Sequence, residues 1–148
     1  MTQEELEKYK KVFDFIATNE FGVVSTVGSE TLSPESAVVA MSETDNFELV
    51  FGSFIDSRKN KNIAKNPNVS VVIGWDNTNK ITIQLEGIAF LVEGEERELL
   101  IGRHIIKNPG SRAFLDDSRQ QYFKITPKWI RYSNFSVAPQ EVWELRTV

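Results

Sequence analysis

Apolar residues recur at three- and four-residue steps at the start of the chain. Leu6, Tyr9, Phe13 and Ile16 are interleaved with Lys8, Lys10 and Lys11, which predicts a helix over residues 2–18 with one apolar stripe. Thr2 and Glu5 stand at capping-box spacing at its start. From Gly22 the period shortens. Val23–Val27 is a short β-rich run, Gly28–Thr31 a turn, and Ser36–Met41 a strand of small apolar residues. Phe47, Leu49 and Phe51 alternate with Glu48, Val50 and Gly52, the pattern of a hairpin partner. A basic helix over about 58–65 leads to a strand over 69–75, and Asp76–Asn79 is a turn.

Ile81, Ile83 and Leu85 then alternate with Thr82, Gln84 and Glu86. After Gly87 apolar groups fall on both faces, which predicts a bulge or bend and a strand covered twice. Residues 94–107 read as a helix with Leu99, Leu100, Arg103 and Ile106 near one side, ended by Asn108-Pro109-Gly110. Residues 111–118 read as a loop or short helix. Tyr122–Thr126 and Trp129–Tyr132 read as two strand runs around Pro127, and Glu141–Leu145 as an edge strand. Six or seven short strands favour a closed antiparallel sheet over a doubly wound one, in a single domain over 1–148.

Composition narrows the chemistry. The net charge of -4 argues against nucleic-acid and anionic-membrane partners. The absence of cysteine excludes disulfides, thiolate metal sites and cysteine nucleophiles. No apolar run approaches membrane-spanning length and the acidic start is no signal peptide, so a cytoplasmic domain is expected. His104 is the only histidine, which removes His-based metal clusters, and its helical setting points to a structural role. Asp116-Asp117 reads as a solvated loop pair. No catalytic residue is assigned.

Within this acidic chain, Arg58, Lys59, Lys61 and Lys65 form a local basic run, preceded by a possible cap at Asp56 or Ser57 and stopped by Asn66-Pro67. Free N–H groups and the positive dipole end make a helix start an anion grip. A solvated basic surface helix is the commoner reading of such a run. As a grip, Arg58 would bind phosphate in bidentate fashion and Lys59 as a point charge, with the Ser53 and Ser57 hydroxyls donating. Asn62 lies one turn on, facing the same side. The small residues of the 36–40 strand either let a flat ligand lie against the backbone or pack under the first helix. Trp75, Trp129 and Tyr132 either stack on a ring or belong to core and interface.

Several stretches together resemble a known family. They are Pro34-Glu-Ser-Ala-Val-Val-Ala40, Leu49-Val-Phe-Gly-Ser53, Ser57-Arg-Lys-x-x-Asn-Ile63, Asn66-Pro-x-Val-Ser-Val-Val-Ile-Gly-Trp-Asp76, Ile81-Thr-Ile-Gln-Leu-Glu-Gly87 and Phe123-Lys-Ile-Thr-Pro-Lys-Trp-Ile-Arg-Tyr132. From about residue 3 onward the chain resembles the pyridoxamine 5'-phosphate oxidase-like, FMN-binding split-barrel proteins. The resemblance implies a mainly β fold, a six-stranded antiparallel split barrel with flanking helices, and a homodimer with two FMN sites at the interface.

Carried over by position, Arg58 and Lys59 hold the FMN phosphate, helped by Ser53 and Ser57. Ser36, Ala37, Val38 and Val39 line the ring and ribityl chain. Thr82 or Gln84 reaches the ring edge from the partner subunit. Trp129 and Arg131 match a family feature near the same cleft, without an assigned role. True pyridoxamine phosphate oxidases end in a segment with Trp, then Arg-x-His and a further Arg. No histidine follows His104, which speaks against vitamin B6 oxidation. The expected function is an FMN-dependent oxidoreductase taking hydride or electrons from a donor such as NAD(P)H to a small acceptor, with water or Tyr132 as proton donor. The alternatives are a non-catalytic protein that binds or senses a flavin, a deazaflavin or haem, and a cofactor-free structural dimer.

Overall fold

The computed structural model describes residues 1–147. Helix α1 (Gln3–Ala17) begins in the expected capping box: the Glu5 N–H donates to Thr2 Oγ1 at 3.1 Å, and the Thr2 N–H donates to Glu5 Oε2 at 2.7 Å. Seven strands follow: β1 (Phe21–Val27), β2 (Pro34–Glu43), β3 (Leu49–Phe54), β4 (Asn68–Gly74), β5 (Ile81–Leu91), β6 (Gln120–Asn134) and β7 (Glu141–Arg146). Helix α2 (Arg58–Lys65) connects β3 to β4. Helix α3 (Gly94–Lys107) and a 3-10 turn (Pro109–Phe114) connect β5 to β6.

All pairings are antiparallel. The order β3-β2-β1-β4-β5-β6 closes on itself through β3–β6, giving a six-stranded barrel, and β7 adds to the free edge of β6. The interior is filled by Val24, Met41, Leu49, Phe51, Val71, Ile83, Leu85, Ile125 and Ile130, and α1 joins this cluster through Tyr9, Val12, Phe13 and Ile16. This is the fold that the strand count and the resemblance imply.

Four local expectations need correction. Tyr122–Thr126 and Trp129–Tyr132 are not two runs but parts of the continuous β6. The β5–β6 register slips between Glu86 and Gly87, where Pro127 pairs with Gly87 and Trp129 with Glu86. The proline sits at this irregularity, where its missing N–H costs no regular ladder bond. Close approach requires the glycine there: a Cβ on Gly87 would lie 2.5 Å from the Thr126 carbonyl oxygen. The predicted bulge is therefore present.

The alternation read over 47–52 does not carry into burial, because Leu49, Val50 and Phe51 of β3 are all buried. Leu49 and Phe51 face the barrel interior, while Val50 is covered from outside by α3. Helix α3 uses a different face from the one its pattern offered. Leu99 and Ile106 are exposed, whereas Leu100, Ile101, His104 and Ile105 are buried. The barrel's outer face presents Val50, Val92 and Tyr122, and that apolar surface selects the 100-101-105 side. Finally, Trp75 lies beyond the end of β4 in the left-handed region, with φ of 68°. Beyond the bulge Ala89 is buried, while Phe90 and Leu91 stay open to solvent in the single chain.

Candidate functional site

The basic run folds as α2 over the expected residues, directly after the end of β3. Ser57 occupies the cap position with extended backbone but makes no side-chain cap bond. The first N–H groups of α2 therefore keep no intrahelical or cap partner. The Ser57 hydroxyl instead donates to Asn60 Oδ1 at 2.7 Å, and Ser53 Oγ lies 2.8 Å from Ser57 Oγ. Since Ser57 has already given its proton to Asn60, Ser53 is the donor of that pair. Asn60 Nδ2 passes the row on to Gln121 Oε1 at 2.8 Å. Both serine protons thus point inward in this arrangement, where the sequence expectation had them donating to a ligand.

Lys59 and Arg58 differ sharply. Lys59 is half-buried and has no carboxylate within salt-bridge distance among the described residues. Burial lowers its amine below the ordinary lysine value. Arg58 is largely exposed, and its Nη2 lies 2.6 Å from Glu35 Oε2. Asn62 is buried and fully engaged: Oδ1 accepts from the Ser29 N–H at 2.9 Å, and Nδ2 donates to Thr26 Oγ1 and Glu35 Oε1, each at 2.9 Å. Bonds from Asn62 first and Arg58 second hold the Glu35 carboxyl below its ordinary value. Asn62 does face Arg58, but through Glu35.

Two adjoining cavities meet at Lys59. One, of about 220 Å³, is lined by Ser36, Ala37, Arg58 and Lys59. The other, of about 240 Å³, is lined by Val38, Val39, Ser53, Ser57, Lys59 and His104, among others. Gly52 also borders it, and a side chain there would run into the Gln120 amide. The structure thus brings together Arg58, Lys59, Ser53, Ser57, Ser36, Ala37, Val38 and Val39, with Asn62 behind them.

Thr82, Gln84, Trp129 and Arg131 are elsewhere in the single chain. Register places Val38, Val23, Val72, Gln84 and Arg131 in one row across β2, β1, β4, β5 and β6. Gln84 is three strand spacings from Val38, roughly 14 Å. Trp129 Nε1 donates to Glu144 Oε2 at 3.0 Å, and Arg131 lies 3.8 Å from Glu144 Oε1. The same outward face exposes Phe21, Val23, Val38 and Val72 as a run of cross-strand neighbours.

Other candidates resolve by burial. Tyr132 stacks on Trp143 in the core and lines neither cavity, so it is not placed as a proton donor there. Trp75 is exposed beside Phe135, away from both cavities. His104 is 2% exposed, with Nδ1 2.8 Å from Ser42 Oγ and Nε2 3.4 Å from Ser111 Oγ. Burial lowers its pKa to about 4, with the nearby Lys107 charge adding to the effect. Its burial and hydrogen bonds fit the structural role expected for it, and its ring also forms part of a cavity wall. Glu35 and Asn60 escaped sequence reasoning. Both lie inside the quoted motifs, but their partners are set only by tertiary contact. Among the described residues no His, Cys, Asp or Glu group is arranged to hold a metal, and no helix is long and apolar enough to cross a membrane.

Several solved structures share this architecture. General Stress Protein 26 from Bacillus anthracis strain Sterne superposes with a TM-score of 0.69 at 27% identity, covering 92% of this chain and 98% of that one. A Clostridium acetobutylicum protein related to general stress protein 26 of B. subtilis, of the pyridoxinephosphate oxidase family, gives 0.71 at 15% identity, covering 95% and 94%. A heme binding protein from Mycobacterium smegmatis gives 0.79 at 15% identity; 93% of this chain matches 57% of that one. No curated protein sequence matches the chain. The family model described as Pyridoxamine 5'-phosphate oxidase matches residues 9–134, and the chain belongs to that family.

Proposed function

We propose that this protein binds FMN and works as an oxidoreductase, carrying hydride or electrons from a donor such as NAD(P)H to a small acceptor. The observation that carries the reading is Lys59: a half-buried ammonium with no acidic partner among the described residues, at an uncapped helix start, shared by two cavities. A group that gives up hydration without a carboxylate to compensate is suited to an anionic ligand. Lys59 and the first N–H groups of α2 would take the phosphate, with Arg58 beside them. The strand 36–39 would lie along the rest of the molecule, where Gly52 keeps the wall open. When bound, the flavin supplies the redox chemistry; the chain's residues bind, orient and exclude water.

The reading includes a homodimer through the outward face of β1, β2 and β4. Such a dimer would bring the partner's copy of Thr82 or Gln84 to the cavities that a single chain leaves without them. A deazaflavin presents the same phosphate, and the absorbance spectrum of the purified protein separates it from FMN. The haem alternative has less support, because both His104 ring nitrogens are already hydrogen bonded and the side chain is buried.

The test is an FMN titration with Lys59→Ala. Loss of a charge-assisted phosphate contact should weaken FMN by ~10- to 100-fold and leave riboflavin, which lacks the phosphate, nearly unchanged. Equal FMN affinity in variant and parent would place the phosphate elsewhere. Bleaching of the bound flavin by NADH, followed by reoxidation with an acceptor, separates an enzyme from a carrier.

A further inference from the structure

Arg58 is not a free cation. Its guanidinium meets Glu35 at 2.6 Å, and Glu35 is itself held in place by Asn62, whose amide is anchored to Thr26 and to the Ser29 N–H. Asn62 and Thr26 are both buried, so the support behind Glu35 is part of the folded core and not a surface accident. The carboxylate also packs closely against the β1–β2 turn: a Cβ on Gly28 would lie 2.8 Å from Glu35 Oε2. Arg58, Glu35 and Lys59 line the same cavity. An anion entering it meets one uncompensated cation, Lys59, and one that already has a carboxylate.

We propose that Glu35 is a specificity-determining residue of this site: its carboxylate competes with the ligand for Arg58, so the guanidinium is surrendered to a phosphate monoester dianion but not to a singly charged carboxylate. The inference rests on the phosphate reading of the α2 start. It adds a rule for which anions complete the grip. A carboxylate ligand offers Arg58 no more charge than Glu35 already provides, and it lacks the Asn62-anchored geometry. A dianion offers more charge and bridges Arg58 to Lys59.

The experiment titrates 15N-labelled full-length protein with sodium phosphate and, separately, sodium acetate at fixed ionic strength, following the Arg58 Nε–H signal. In the parent, phosphate shifts that signal and acetate does not. In Glu35→Gln, which keeps an oxygen for Asn62, phosphate binds about two- to fivefold tighter and acetate begins to shift the signal. Unchanged phosphate affinity in Glu35→Gln overturns the proposal. So does a parent protein in which acetate perturbs Arg58 as strongly as phosphate, a comparison that needs no variant. FMN and riboflavin titrated in parallel keep the two claims apart. If FMN binds no better than riboflavin, the flavin reading fails, while the phosphate and acetate series still decides the role of Glu35.

Discussion

His104 shows how burial sets what a side chain does. The ring Nδ1 lies 2.8 Å from the hydroxyl oxygen of Ser42, which is also buried. With its pKa lowered to about 4 by burial, the ring stays neutral in the folded chain where an unfolded histidine would charge. Above pH 6.5 both states are neutral and nothing is lost. As pH falls below that value the unfolded chain takes up a proton that the folded one refuses, and stability drops by about 2 kcal/mol by pH 5. Urea denaturation should therefore show the gap between parent and His104→Gln shrinking by that amount from pH 7 to pH 5; a constant gap would contradict it. At this scale the sequence was readable where a residue's neighbours are local. Ser57, Arg58 and Lys59 announced a helix start by their order alone. Glu35 did not, since its meaning depends on Arg58 and Asn62 arriving from another element. The serine hydroxyls were read as donors because composition cannot show that Asn60 accepts the first proton.

At the scale of elements, punctuation carried more than periodicity. Asn66-Pro67 and Gly87 marked a helix end and a bulge correctly, whereas the α3 stripe misled because its apolar residues lie on both sides and only the outer barrel wall chooses between them. Pro127 misled for a related reason: the register shift that accommodates it, with Glu86 facing Trp129 and Gly87 facing Pro127, exists only once β5 and β6 pair. The bulge is also a point of mechanical intolerance. Gly87→Ala puts a methyl 2.5 Å from the Thr126 carbonyl oxygen and 2.8 Å from Ile125 Cγ2. It should cost about 1–3 kcal/mol in denaturant unfolding. Gly102→Ala on α3, where a Cβ meets nothing within 4 Å, should instead be neutral or stabilising by up to about 1 kcal/mol. If Gly87→Ala is as stable as the parent, the close approach at the bulge is not a constraint.

At the scale of the whole molecule, the outward sheet face is the feature a single chain does not explain. Phe21, Val23, Val38 and Val72 are exposed neighbours on adjacent strands, and this contiguous apolar patch is the face through which the proposed dimer would form. Sedimentation velocity should give a dimer for the parent and a monomer with unchanged circular dichroism for Val72→Lys; a monomeric parent would remove the face from consideration. The barrel's closing seam has a different consequence. It pairs Leu49–Phe54 with Gln120–Ile125, the pairing with the longest sequence separation in the sheet, and such distant pairings pay the largest loop-closure entropy. Gly52, Ser53, Gln120 and Gln121 all lie on that seam. A chain that has formed its local hairpins but not yet joined β3 to β6 has no cavity wall and no Ser53–Gln121 frame around α2. If the site binds as proposed, it does so only with this seam closed, so a ligand would add its binding free energy to the stability of the closed barrel.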